Sequence, residues 1–187
     1  MSQLVYDTAV VHFNWLFNGR EDALRCLSAW VCRPSSQFTG LHATLALEGD
    51  TAVGAFLAMP GEELNARQKA DFLALVKATK GRDRADLQAR LEQLKRMETL
   101  ADSGDFYIRT IAVVAHRRGL GLGSRVLQEC LEVGSRSGFR RFRLDVRADN
   151  LPALRLYASF GFRTILEVPV AYPGRAITIA SMVADIK

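Results

Sequence analysis

The sequence predicts an α/β protein, a mixed central sheet flanked by helices with an added helical segment, and three observations lead to it. An apolar hairpin precedes the middle of the chain. A strand-like run then leads through a glycine-rich stretch, "RRGLGLGSR", into an amphipathic helix and another strand, and a second hairpin closes the chain. Length agrees with one domain over residues 1–187: a chain of 187 residues that is 49% apolar builds one full core, whereas two halves would each be marginal.

The elements follow in order. Asn18 with Glu21 three residues on predicts a capping-box opening for a helix whose Leu24, Leu27 and Val31 share a face and which ends before Pro34. "LHATLALEGDTAVGAFLAM" holds two apolar runs around Glu48-Gly49-Asp50, the spacing of a tight antiparallel hairpin. From Pro60 to Ser103 the composition shifts to Ala, Leu, Lys, Arg and Glu. Apolar residues recur at helical spacing (Phe72, Leu75, Val76, then Leu87, Leu91, Leu94), with Gly81 as terminator between two helices whose charges read as a solvated face. After Asp105, "FYIRTIAVV", "SRVLQECLEVGSRSG" and "FRRFRLDVR" form a β-loop-α-β unit. "NLPALRLYASF" is a short helix, and "GFRTILEVPV" with "RAITIASMVAD" is a hairpin turning at Ala171 to Gly174.

Composition excludes several classes. No apolar run approaches the roughly 20 residues needed to span a bilayer, and the start of the chain lacks the basic and apolar regions of a signal peptide, so a cytoplasmic protein without a membrane partner is expected. Cys26, Cys32 and Cys130 have no zinc-ligand spacing and are odd in number, which predicts neither metal site nor disulfide. The net charge of +5 favours anionic ligands. Arg140, Arg141, Arg143 and Arg147 form a basic run, and strand alternation sends Arg141 and Arg143 to one face, toward acidic neighbours or phosphates. No aromatic interleaving accompanies the run, so no nucleic-acid partner is expected.

The glycines Gly119, Gly121 and Gly123 stand where a helix begins. A helix N-terminus carries unpaired N–H groups and partial positive charge, so it binds phosphate where no side chain blocks the approach, and Arg117, Arg118 and Arg125 add positive charge. A nucleotide-hydrolysing P-loop is excluded, because no Lys followed by Ser or Thr comes after the last glycine. A dinucleotide site is a better rival, with Asp145 near a strand end as a ribose acid. Its glycine fingerprint fails, however, since Ser124 or Val126 stands where the third glycine belongs.

Arg118-Gly-Leu-Gly121-Leu-Gly123 matches R-x-x-G-x-G. "NLPALRLYASFGFRT" supplies Asn150, Ala153, Tyr157 and a Phe160-Gly161-Phe162 ending, and "IAVV" ends the strand before the first motif. Together, over about residues 105–164, they resemble the GNAT superfamily of acyl-CoA-dependent N-acyltransferases. The resemblance implies a three-layer GNAT fold with acetyl-CoA as cofactor. It also implies that a loop of Arg118, Gly119, Gly121, Leu122, Gly123 and Ser124 wraps the coenzyme's pyrophosphate with backbone N–H groups, where alternate glycines keep side chains away. Ile111, Ala112, Val113 and Val114 would pair with the pantetheine arm, and Asn150 would contact it from the next helix. Ala115 stands where the family often has Pro, a change in local stiffness only.

The resemblance implies direct attack of an amine on the thioester in a ternary complex, with Tyr157 as the acid for the leaving thiolate and a backbone N–H near Ala112 and Val113 as oxyanion donor, where strands splay. Asp105, Tyr107 and Glu167 are candidates for the base, each equally readable as a plain strand residue, and His116 reads as a neighbour of phosphate. The acceptor groove would be walled by the early helices and "VPVAYPGRA", with the 60–103 insert as a lid and Glu62 and Glu63 as attractants for a cationic amine. A primary amine of a small molecule is the expected acceptor. The alternatives are a peptide or protein amine, and a non-catalytic acyl-CoA sensor. The final strand, "AITIASMV", is open to pairing across a homodimer or to lying inside the sheet.

Overall fold

The computed structural model describes residues 1–95 and 101–186, with Arg82 and Lys95 described by backbone alone. Two short helices, α1 (Ser2–Thr8) and α2 (Val10–Phe17), open the chain ahead of α3 (Arg20–Cys32). They were not expected, and they overturn the capping box. Asn18 is not an N-cap: at φ 62° it closes α2 in the left-handed conformation, and the Gly19 N–H donates to the Asn14 carbonyl at 2.9 Å. Gly19 precedes α3, whose buried face is Ala23, Leu27 and Trp30, with Leu24 and Val31 only half-buried at its margin.

The hairpin forms as expected, β1 (Ala43–Glu48) turning through Gly49-Asp50 into β2 (Thr51–Pro60). The insert is the helical pair α4 (Gly61–Ala78) and α5 (Gly81–Lys95); its residues 96–100 lie outside the described residues. Gly81 begins α5 rather than ending α4, which stops at an extended Thr79. Phe72, Leu75, Val76, Leu87, Leu91 and Leu94 pack together with α1–α3, so the apolar stripe of the pair covers the N-terminal helices. β3 (Asp105–Val113), α6 (Leu122–Arg136), β4 (Arg141–Arg147), α7 (Leu151–Ser159), β5 (Arg163–Tyr172) and β6 (Arg175–Asp185) complete the order.

The six strands lie β1-β2-β3-β4-β6-β5, with only β3 and β4 parallel. Alternation along β2 builds two faces: Phe56 and Ala58 pack with α6 and α7, whereas Ala55, Leu57 and Met59 face the α1–α5 side. This is the three-layer arrangement. β6 is paired on both sides, by β4 and β5, which leaves it no free edge for pairing across a dimer.

Two features of β3 create the opening for a site. Opposite β2, Leu57 pairs with Thr110 but Ala58 pairs with Ile108, so Arg109 is the extra residue of a bulge. Before it Phe106 and Ile108 face α6; after it Ile111 does, and Ala112 turns to α1. Pairing between β3 and β4 extends only over Asp105–Tyr107 with Arg141–Arg143, and beyond that the two parallel strands separate.

Buried charge fixes the neighbourhood. Asp71 of α4, fully buried, is bound by Arg33, by the Ser36 hydroxyl at 2.9 Å and by the Gln37 N–H at 3.0 Å, which ties the loop after α3 to the insert. Such a carboxylate must keep its partners, because an unpaired charge in the interior costs several kcal/mol, roughly 3–5.

Candidate active site

The gap between β3 and β4 opens into a cavity of about 700 Å³. Its walls are Ile108 to Val113 on one strand, Leu144 to Arg147 on the other, the loop before α6, the start of α7, helices α1 and α2, and the β5–β6 hairpin. Of the residues implied by the motifs, Ala112, Val113, Arg118, Gly119, Gly121, Gly123, Ser124, Asn150 and Tyr157 all line it. Val114 and Leu122 do not. The Val114 N–H is taken by the Val53 carbonyl at 3.0 Å, and the Leu122 side chain packs into the core beneath α6.

The loop has the geometry its glycines require. Gly119 and Gly121 sit at φ 77° and 78°, a conformation that costs L-residues roughly 1–2 kcal/mol. The first hydrogen bond of α6 runs from the Arg125 N–H to the Gly121 carbonyl at 3.3 Å. Among the described residues the N–H groups of Gly121 to Ser124 therefore have no intrahelical partner, and they gather at the positive end of a 15-residue helix. Gly123 has a different role: it is helical, and a Cβ there would meet Leu156 Cδ2 of α7 at 3.4 Å. Of the nearby arginines, Arg117 is paired with Glu48 and Arg118 donates from Nε to the Val113 carbonyl at 3.0 Å.

That bond also reports the direction of β3. The Val114 N–H points to β2, so by alternation the N–H groups of Val113 and Ile111 point into the gap, where β4 no longer pairs. The Ala112 N–H faces β2. The gap thus presents a strand edge along one wall and unpaired N–H groups at its mouth.

Tyr157 is buried against Phe162, ring centroids 5.9 Å apart. Burial, reinforced by neighbouring Cys130, pushes its phenol up to about 12, so it stays protonated at neutral pH. Asn150 caps α7, its Oδ1 accepting from the Ala153 N–H at 3.4 Å, which leaves its amide NH2 for other partners.

The proposed bases fall away. Asp105 is fully buried at the closed end of the gap, 3.0 Å from Arg141 and 3.5 Å from Arg143, so the two same-face arginines serve an acidic neighbour. Tyr107 is packed among Leu57, Met59 and Leu64, Glu167 stands exposed on β5, and His116 is exposed on the turn after β3. None of the four lines the cavity. Nor does Glu62 or Glu63 of α4: Glu63 is engaged by Arg67 at 2.6 Å and His42 at 3.0 Å.

The residue that sequence reasoning missed is His12 of α2. It lines the cavity, its Nδ1 lies 3.2 Å from the Tyr172 hydroxyl, and its pKa is lowered from 6.5 to about 4 by burial and then by Arg109. It is neutral at physiological pH. In the tautomer that donates Nδ1–H to the Tyr172 hydroxyl, Nε2 keeps a lone pair for a proton. Nothing local marks "VVHFNW" as part of a site; the contact joins residues 160 positions apart. Among the described residues no cluster of His, Cys, Asp or Glu is placed to hold a metal ion, and no helix is long and apolar enough to cross a membrane.

Known proteins share this fold. An uncharacterized protein of Mycobacterium leprae (strain TN) is 41% identical over 69 residues, 37% of this chain and 18% of that protein, so the match spans under a fifth of that protein's length. Similar folds include an N-acetyltransferase from Staphylococcus aureus Mu50 (TM-score 0.66, 18% identity, 98% of this chain and 97% of that one). Another is a Salmonella typhimurium protein solved with its cofactor acetyl-CoA (TM-score 0.57, 16% identity, 98% and 85%). The model of the acetyltransferase (GNAT) family matches residues 33–162, which contain β3, the glycine loop, β4 and α7. The chain belongs to the GNAT family of acetyltransferases.

Proposed function

We propose that this acetyltransferase moves the acetyl group of acetyl-CoA onto the primary amine of a small molecule, in a ternary complex, with the whole chain acting as one catalytic domain. The observation that carries this reading is the β3–β4 gap, which ends on a loop of N–H groups without intrahelical partners at one mouth and on His12 and the β5–β6 hairpin at the other. The residues fit the coenzyme: Gly121 to Ser124 offer backbone donors to a pyrophosphate, the outer edge of β3 offers its Val113 N–H to an amide chain, and the Asn150 amide faces the same space. Bound there, the coenzyme supplies an activated acyl thioester.

The protein's own groups supply the rest. His12 Nε2 accepts the proton as the amine nitrogen bonds to the acyl carbon, an unpaired β3 N–H donates to the carbonyl oxygen as it gains charge, and the C–S bond breaks with Tyr157 donating its proton to sulfur. A small acceptor is favoured over a peptide because the helical insert closes the acceptor end: Leu94 of α5 lines the cavity, and Gln93 donates to the Ala171 carbonyl of the hairpin at 2.6 Å.

The test is thiol release from acetyl-CoA by the purified protein over a panel of small amines and peptides. Amine-dependent release, with small amines preferred, is expected; acetyl-CoA binding with no amine-dependent release would leave only a sensor, and preference for peptides would replace the acceptor class.

A further inference from the structure

The acceptor side of the cavity carries a cation that no carboxylate among the described residues neutralises. Arg109, the extra residue of the β3 bulge, is half-buried and lines the cavity. Its Nε donates to Gln37 Oε1 at 3.2 Å and its guanidinium lies 4.7 Å from the centre of the Phe38 ring, which fixes its plane. Among the described residues it has no carboxylate partner. The other arginines of the cavity differ: Arg147 is bound by Asp149 at 2.8 and 2.5 Å, and Arg118 is turned to the Val113 carbonyl.

A guanidinium held by its Nε and one face still presents two terminal amino groups as a planar fork, the shape that matches a carboxylate. Beside it Thr110, only 3% exposed and lining the same cavity, has a hydroxyl without a hydrogen-bond partner. Buried polar groups left this way find their partner in a ligand or are costly. The network behind Arg109 is built to hold it: Asp71 anchors the Gln37 N–H, and Gln37 anchors Arg109.

We propose that the acceptor is an amino-acid-like molecule whose carboxylate is seated by Arg109 and hydrogen-bonded by Thr110, with its amine left toward His12. One guanidinium and one hydroxyl suit a single negative charge rather than a phosphate dianion. The inference rests on the acetyl-transfer reading above.

The experiment measures thiol release by the full chain, at saturating acetyl-CoA, with free amino acids, their carboxamides and phosphoethanolamine. The best free amino acid is expected to exceed its carboxamide in kcat/KM by about 10- to 100-fold, mostly through KM, as a charge-assisted hydrogen bond in a closed site allows. In Arg109→Gln that ratio should fall toward unity, and Arg109→Lys should restore part of it. Carboxamides or phosphoethanolamine used as well as free amino acids by the unaltered protein would overturn the proposal and leave acetyl transfer standing, as would a ratio unchanged in Arg109→Gln. Absence of release with every amine, while calorimetry records bound acetyl-CoA, would overturn the transfer reading and this inference with it.

Discussion

The two ends of the β3–β4 gap are built from different materials. At the loop end the groups offered are backbone N–H donors of consecutive residues, Gly121 to Ser124, presented by a helix start. At the acceptor end they are side chains, His12, Arg109 and Tyr172, brought together from α2, a strand bulge and the last hairpin. A site made of main chain needs particular backbone conformations, so its glycines mark it in the sequence. A site made of distant side chains leaves no such mark, and it can change its ligand without disturbing the first.

Substitutions should separate these ends. The largest effect is expected from His12→Gln, with kcat/KM down about 1,000-fold, within the usual worth of general base catalysis, and acetyl-CoA affinity unchanged. Below pH 6.5 the unfolded chain takes up the His12 proton while the folded protein, with a pKa near 4, resists it. Stability from this group is therefore whole above 6.5 and lost progressively down to 4. The melting temperature of His12→Gln should fall less than that of the unaltered protein over that window, and a parallel fall would remove His12 from its buried position. Tyr157→Phe should lower turnover by about 100-fold, again without weakening coenzyme binding; turnover unaltered at every pH would dismiss it as the acid.

Smaller effects sharpen the loop end. Gly121→Val forces a β-branched residue to φ 78° and crowds the N–H cluster, so acetyl-CoA affinity should drop by some tens of fold, matching about 2 kcal/mol of strain and lost contact. Gly123→Ala should change affinity by no more than about three-fold, since its new methyl meets only the mobile end of Leu156 in ordinary packing. Equal losses at the two glycines, measured by calorimetry, would mean that the loop acts by general crowding rather than by its left-handed turn.

Most of the fold was legible from α3 onward, because the helical stripe that ends before Pro34, the hairpin turns, the Phe72 to Leu94 periodicity and the β-loop-α-β unit are local patterns. The start of the chain was not. α1 and α2 are short, and α2 is apolar nearly all round, buried by α3 and α5 rather than held by its own propensity, so no amphipathic stripe announces it. Asn18 was misleading for a physical reason: the residue that caps a helix start also tolerates the left-handed turn that ends one. At the site, the loop, Asn150 and Tyr157 were readable as motif residues. Arg109 was visible only as a charge inside the apolar run "FYIRTIAVV", and its purpose required the bulge, which pairing with β2 alone reveals.

The most direct test is one calorimetric series, acetyl-CoA titrated into the unaltered protein, His12→Gln and Gly121→Val. Two equal dissociation constants for the first pair and one weaker by tens of fold for Gly121→Val are predicted. Weakened binding in His12→Gln, or intact binding in Gly121→Val, would contradict the division of the gap into a main-chain coenzyme end and a side-chain acceptor end.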